Sequence, residues 1–177
     1  DVERSRGLGD VYKRQGEDIE KLEYETRKSE KIAEKYGLLL VGGWKGSIRP
    51  GLHVDPGVMG ADAMAWLSGY EEIMVLSITE PEIIEEYMQI IHEWNMRQIT
   101  IYLDKTSAEL IVRRGWYETT EFWTPAAYRR IIYPTLKAEA ELVHEAGKKY
   151  GYIITSAFLP VLDYILDAGV DVLIGFD

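Results

Sequence analysis

The stretch Ala108–Pro134, AELIVRRGWYETTEFWTPAAYRRIIYP, decides the fold. Leu110, Ile111 and Val112 form an apolar run without clean alternation, as expected of a strand covered on both faces. The composition then turns polar and aromatic at Arg113-Arg114-Gly115 and stays so through Trp123. Thr124 is placed to cap a helix, and Pro125 takes its first position, where a missing N–H costs nothing. Strand, loop and capped helix make one βα unit. In such units the loop after the strand lies at the carboxyl end of the sheet, where ligands bind.

Working outward, residues 17–35 are charged and helix-favouring, with a sparse apolar face and a stop at Tyr36-Gly37. Leu38–Val41 reads as a short buried strand. The loop from Gly42 to Gly57 is rich in Gly and Pro, and a helix is predicted from Gly60 to Leu76. Thr79, with Glu82 three residues on and Pro81 between them, predicts a capped helix start. Ile83, Ile84, Tyr87, Ile90, Ile91 and Trp94 then recur at helical spacing, a core stripe on a helix ending near Asp104. A helix from Pro125 to Ala146 contains Pro134, which predicts a kink, and Gly147 stops it. A strand at Tyr150–Thr155, a helix at Leu159–Ala168 and a strand at Val170–Gly175 complete the order. Four strands alternating with helices imply an α/β fold with a mostly parallel sheet. The 177 residues fall short of the roughly 250 of a (β/α)8 barrel, so the expectation is part of a larger fold.

A formal net charge of −10 argues against nucleic acid or an anionic membrane as the main partner. An anionic small molecule stays compatible with it, since a local pocket can be basic. The chain has no cysteine, which excludes disulfides, thiolate nucleophiles and thiolate metal sites. No apolar run reaches the roughly 18 residues of a membrane span, so a cytoplasmic protein is expected. Residues 1–15 (DVERSRGLGDVYKRQ) lack an initiator Met and any periodicity, and read as an adapter-like scar outside the fold. The domain is expected over residues 16–177.

Five further groupings carry a family likeness. They are Ser68-Gly69-Tyr70-Glu71-Glu72, Glu80-Pro81-Glu82, Phe122-Trp123-Thr124-Pro125 with Pro134, Ala146-Gly147-Lys148-Lys149, and Ala168-Gly169-Val170-Asp171-Val172. In this order and spacing the chain resembles the uroporphyrinogen decarboxylase superfamily, as a divergent branch covering the middle of the barrel. The resemblance implies a partial (β/α)8 barrel and either of two activities. One is cofactor-free decarboxylation of a carboxylate-bearing organic substrate. The other is zinc-dependent methyl transfer with a corrinoid protein or a thiol, for which members carry His-x-Cys-Gly after the strand matching Tyr150–Thr155. Here that stretch is Ile153-Ile154-Thr155-Ser156, without a zinc ligand. No metal and no cofactor are expected. A homodimer or a corrinoid protein is the partner implied for the full-length form, and a non-catalytic ligand-binding barrel is a third alternative.

Several residues could carry the chemistry. Arg113 and Arg114 are adjacent, so strand alternation sends one into the mouth, to hold a carboxylate, and the other toward the helices. Trp116 and Tyr117 form an apolar wall or simply anchor the loop. Glu118 is the catalytic candidate for proton transfer, provided burial tunes it, with Glu121 behind it. Lys45, Arg49 and His53 make the Gly42–Gly57 loop the second anion-binding candidate, although it lacks a phosphate-loop spacing. Thr155 and Ser156 either hydrogen-bond a ligand or start the next turn. His92 is expected to be solvated and His144 structural.

Overall fold

The computed structural model describes residues 26–43 and 57–175, together with Glu20 and Tyr24. The stretch 1–15 and the loop residues Lys45, Arg49 and His53 lie outside the described residues. Helix α1 (26–36) ends at Gly37, whose φ of 64° lets Leu38 N–H reach back to the Ala33 carbonyl at 2.8 Å. Strand β1 (Val41–Gly42) follows, and β2 (Val58–Met59) resumes after the loop. Both pair in parallel with β3 (Leu110–Arg114): β1 with Leu110 and Ile111, β2 with Arg113 and Arg114. Because β4 (Lys149–Ile153) occupies the other edge of β3 along its whole length, β1 and β2 form one interrupted strand line. β5 (Val172–Ile174) pairs with β4, so the order β1/β2-β3-β4-β5 follows the sequence without reversal.

This is an α/β fold with a single parallel sheet and flanking helices. An order that never doubles back is that of a barrel segment, whereas a doubly wound sheet reverses. The two faces of the sheet differ accordingly. Ile111, Tyr150 and Tyr152 join the large core with the helices, while Leu110, Val112, Ile153 and Ile174 form a small separate cluster on the opposite face. The second face is the inner wall of the barrel arc. Among the described residues no helix is long and apolar enough to cross a membrane.

The helices depart from expectation in instructive places. The span predicted from Gly60 to Leu76 is two helices, α2 (Ala61–Ser68) and α3 (Tyr70–Thr79). They meet at Gly69, whose φ of 88° a helix cannot contain. Thr79 does not cap α4 (Pro81–Lys105): it is the last residue of α3, and its hydroxyl donates to the Val75 carbonyl instead. Along α4 the buried row is Ile84, Met88, Ile91, Asn95, Ile99 and Tyr102, whereas Ile83, Ile90 and Trp94 of the predicted stripe are exposed. Leu38, Leu39 and Val41, expected to be buried, are exposed as well.

The helix after β3 starts as predicted, with Thr124 accepting from Ala127 N–H at 3.2 Å and Pro125 in the first turn. It begins as α5 (Pro125–Ala127), widens into a π turn (Tyr128–Ile132) and continues as α6 (Tyr133–Glu145). Pro134 explains the widening. It has no N–H for Arg130 and its ring crowds that carbonyl, so Tyr133 N–H bonds five residues back to Tyr128. A 3-10 turn (Leu159–Val161) and α7 (Leu162–Asp167) then lead to β5.

Candidate functional site

Alternation along β3 turns Arg113 to the helix side and Arg114 to the inner wall, at the carboxyl end of the strand. Their surroundings have little in common.

Arg113 is fully buried, and each of its three nitrogens has a partner. Its Nε and Nη2 donate to the two oxygens of Glu118 at 3.2 and 2.6 Å. Nη1 donates to Thr135 Oγ1 at 3.0 Å and meets Glu139 Oε1 at 3.1 Å. Burial works against its charge, but Glu118 and Glu139 hold its pKa well above the ordinary value. Glu139, also fully buried, gathers His92 Nδ1 at 3.2 Å, Asn95 Nδ2 at 3.0 Å and the Tyr150 hydroxyl at 2.7 Å. Burial alone would raise its pKa; Arg113 and these three side chains together pull it below the usual range. His92, expected in solvent, is thus mostly buried in a polar network. Asn95 completes it by exchanging hydrogen bonds with the Met59 backbone, at 3.2 and 2.6 Å, which ties α4 to β2.

Glu118 belongs to this closed side. It has no exposed surface, and besides Arg113 it accepts from Ala61 N–H at 2.8 Å and the Tyr152 hydroxyl at 2.7 Å. Four donors on two oxygens leave no direction for a substrate. A Cβ at Gly60 or at Gly115 would fall on this carboxylate, so glycine is required at both positions. In this arrangement Glu118 is a strut joining β3, β4 and the start of α2.

Arg114 is different. Its Nε donates to Asp62 Oδ2 at 3.2 Å, and Nη2 finds only the Met59 sulfur at 3.6 Å. No oxygen among the described residues meets its Nη edge. Trp66 and Trp116 stand over the guanidinium, with ring centroids 3.9 and 4.9 Å from its carbon, and both indoles are partly exposed. Asp62, buried in the first turn of α2, also accepts from Trp116 N–H at 3.3 Å and Tyr117 N–H at 2.9 Å. Burial pushes its pKa up to about 6, helped by the charge of Glu118, while the Tyr117 and Trp116 amides and Arg114 pull the other way.

Tyr117, beside Trp116, is partly buried. It packs against Tyr70 and Phe122, with ring centroids 5.0 and 5.6 Å away, and its carbonyl accepts from the buried Trp123 indole at 2.8 Å. It anchors the loop. The Tyr70 hydroxyl in that cluster is buried without a partner among the described residues. Thr155 donates to the Trp116 carbonyl at 3.0 Å, and Ser156 approaches Glu121 at 3.4 Å. These hydroxyls fasten the loop after β4 to the loop after β3. His144 is structural, as expected, bonding Asp171 at 2.7 Å.

Asp62 and Trp66 were missed at the sequence level. The usable signal was position: both lie in the helix that directly follows a strand end, the same rule that singled out Arg114.

No protein-family model matches the chain, and no curated protein does. Among solved structures, a methyltransferase from Methanosarcina mazei superposes with a TM-score of 0.57 at 16% identity, over 69% of this chain and 36% of that one. At that identity the likeness is one of fold, and this chain spans about a third of the neighbour's length.

Proposed function

We propose that this chain is the middle of a (β/α)8-barrel enzyme of the uroporphyrinogen decarboxylase type, which binds a carboxylate-bearing organic substrate at the carboxyl ends of its strands. The observation that supports this is the Nη edge of Arg114, at the inner-wall end of β3, with no oxygen acceptor among the described residues. A planar guanidinium presents two parallel donors matched to a carboxylate. Trp66 and Trp116 supply apolar surface for the organic part of the ligand. In a decarboxylation the bond from carbon to the carboxyl group breaks, CO2 leaves with its oxygens, and the electron pair left on carbon takes a proton. Holding the carboxylates that stay on the substrate positions the one that leaves.

The test is CO2 release from uroporphyrinogen by the wild-type protein and by Arg114→Gln. The proposal expects release that drops at least about 100-fold in the variant, the range for losing a charged contact to the reacting species. No release from wild type would remove the decarboxylase assignment. Methyl transfer is the second reading, favoured by the name of the solved neighbour. It predicts methylation of a thiol acceptor with no CO2 formed. The strand end Ile153-Ile154-Thr155-Ser156 would then need ligands other than the thiolate set the resemblance implies.

A further inference from the structure

One guanidinium holds an internal carboxylate and offers a ligand an edge that meets no oxygen among the described residues. Asp62 holds Nε of Arg114 from one side. A second carboxylate on the Nη edge would bring two like charges onto a single cation, with Asp62 already buried. Such a pair relieves its repulsion by keeping one proton. We propose that the mouth takes up a carboxylate together with one proton, and that Asp62 is the group that receives it. This deepens the function proposed above and rests on the assignment of Arg114 as the anion-binding group.

The groups facing Asp62 favour that assignment. Among the described residues Arg114 on β3 is the one cation bonded to it, and the Trp116 and Tyr117 amides are its other hydrogen-bond donors. Glu118 on the same loop adds negative charge, and Tyr70 on α3 and Tyr117 close the site. Burial keeps the Tyr70 hydroxyl protonated, its pKa raised above the ordinary value, so it cannot act as the acceptor. Glu118 is held by Arg113, Ala61 and Tyr152 on the other face of the sheet. With Asp62 already pushed up to about 6, protonating it on ligand binding takes little further driving force. The consequence is selectivity: below that range the site favours monoanionic carboxylates, and above it the affinity falls as the proton becomes harder to recruit.

The experiment is calorimetric titration of the whole chain with benzoate, a flat aromatic carboxylate. It is run in two buffers of different ionisation enthalpy and repeated with Asp62→Asn and Arg114→Gln. For wild type the dissociation constant should rise about tenfold from about pH 5 to about pH 7, with nearly one proton taken up per benzoate at the higher pH. Asp62→Asn should bind with no proton uptake and little pH dependence. Saturable wild-type binding, lost in Arg114→Gln but without proton uptake, would leave the anion site standing and overturn the coupling. Uptake that persists in Asp62→Asn would assign the proton elsewhere and would also overturn it. Absence of benzoate binding at every pH would overturn both proposals. The wild-type buffer comparison stands even if a variant fails to fold.

Discussion

Two arginines adjacent in sequence face opposite sides of one strand and lead different lives. Arg113 is enclosed by Glu118, Glu139 and Thr135 on the helix side, with Nε and both Nη atoms bonded. Arg114 meets a carboxylate through its Nε, lies against two indoles, and has an outer edge that meets no oxygen among the described residues. The difference teaches that a buried charge in itself says little about function. A charge that is fully paired holds elements together, whereas one paired on a single side has capacity left for a ligand.

The sharpest way to break the contrast is to remove each cation in turn. Arg113→Met leaves Glu118 and Glu139 buried without their shared partner and should cost about 3–5 kcal/mol in urea unfolding. Arg114→Gln should cost clearly less, since Asp62 keeps two amide donors and can take a proton. Equal losses would erase the distinction. Next in size is the pH dependence of Asp62. Its folded pKa, about 6, lies above the ordinary 3.8, so the stability its proton contributes is present below 3.8 and lost as pH rises through 6. Between those limits Asp62→Asn should gain up to about 3 kcal/mol relative to wild type, read from urea midpoints at a series of pH values.

Asp171 runs the other way. Burial would raise its pKa, but Lys149, the Tyr150 amide and His144 bring it down to about 2. Its stability is therefore present above 3.8 and lost as pH falls through 2. After discounting for its partial exposure, Asp171→Asn should lower stability by about 1 kcal/mol at neutral pH, and the deficit should vanish in strong acid. The smallest effect is expected for Trp66→Leu, about 0.5–1 kcal/mol in thermal unfolding, the scale of a partly exposed cation–π contact.

Much of the fold was legible because the relevant signals are local. The apolar run of β3, the Thr124-Pro125 start and the break imposed by Pro134 all follow from a few consecutive residues. The row of α4 that faces the sheet was not legible in that way. Two adjacent rows are apolar, and the choice between them was made by Asn95, a polar residue whose reason for burial is the Met59 backbone, distant in sequence. Alternation correctly divided Arg113 from Arg114 but could not tell which would be locked. That depended on Glu118 and Glu139 arriving from a loop and from α6. Glu118 reads in the sequence as a loop acid, and only the three-dimensional arrangement shows it without an open face.

The most direct test follows the arginine side-chain N–H signals of the 15N-labelled chain during a benzoate titration, assigned with Arg113→Lys and Arg114→Lys. The account predicts that the Arg114 Nε–H signal shifts and saturates while the Arg113 signal stays in place, protected from solvent exchange. A shift confined to Arg113, or equal shifts of both, would contradict it.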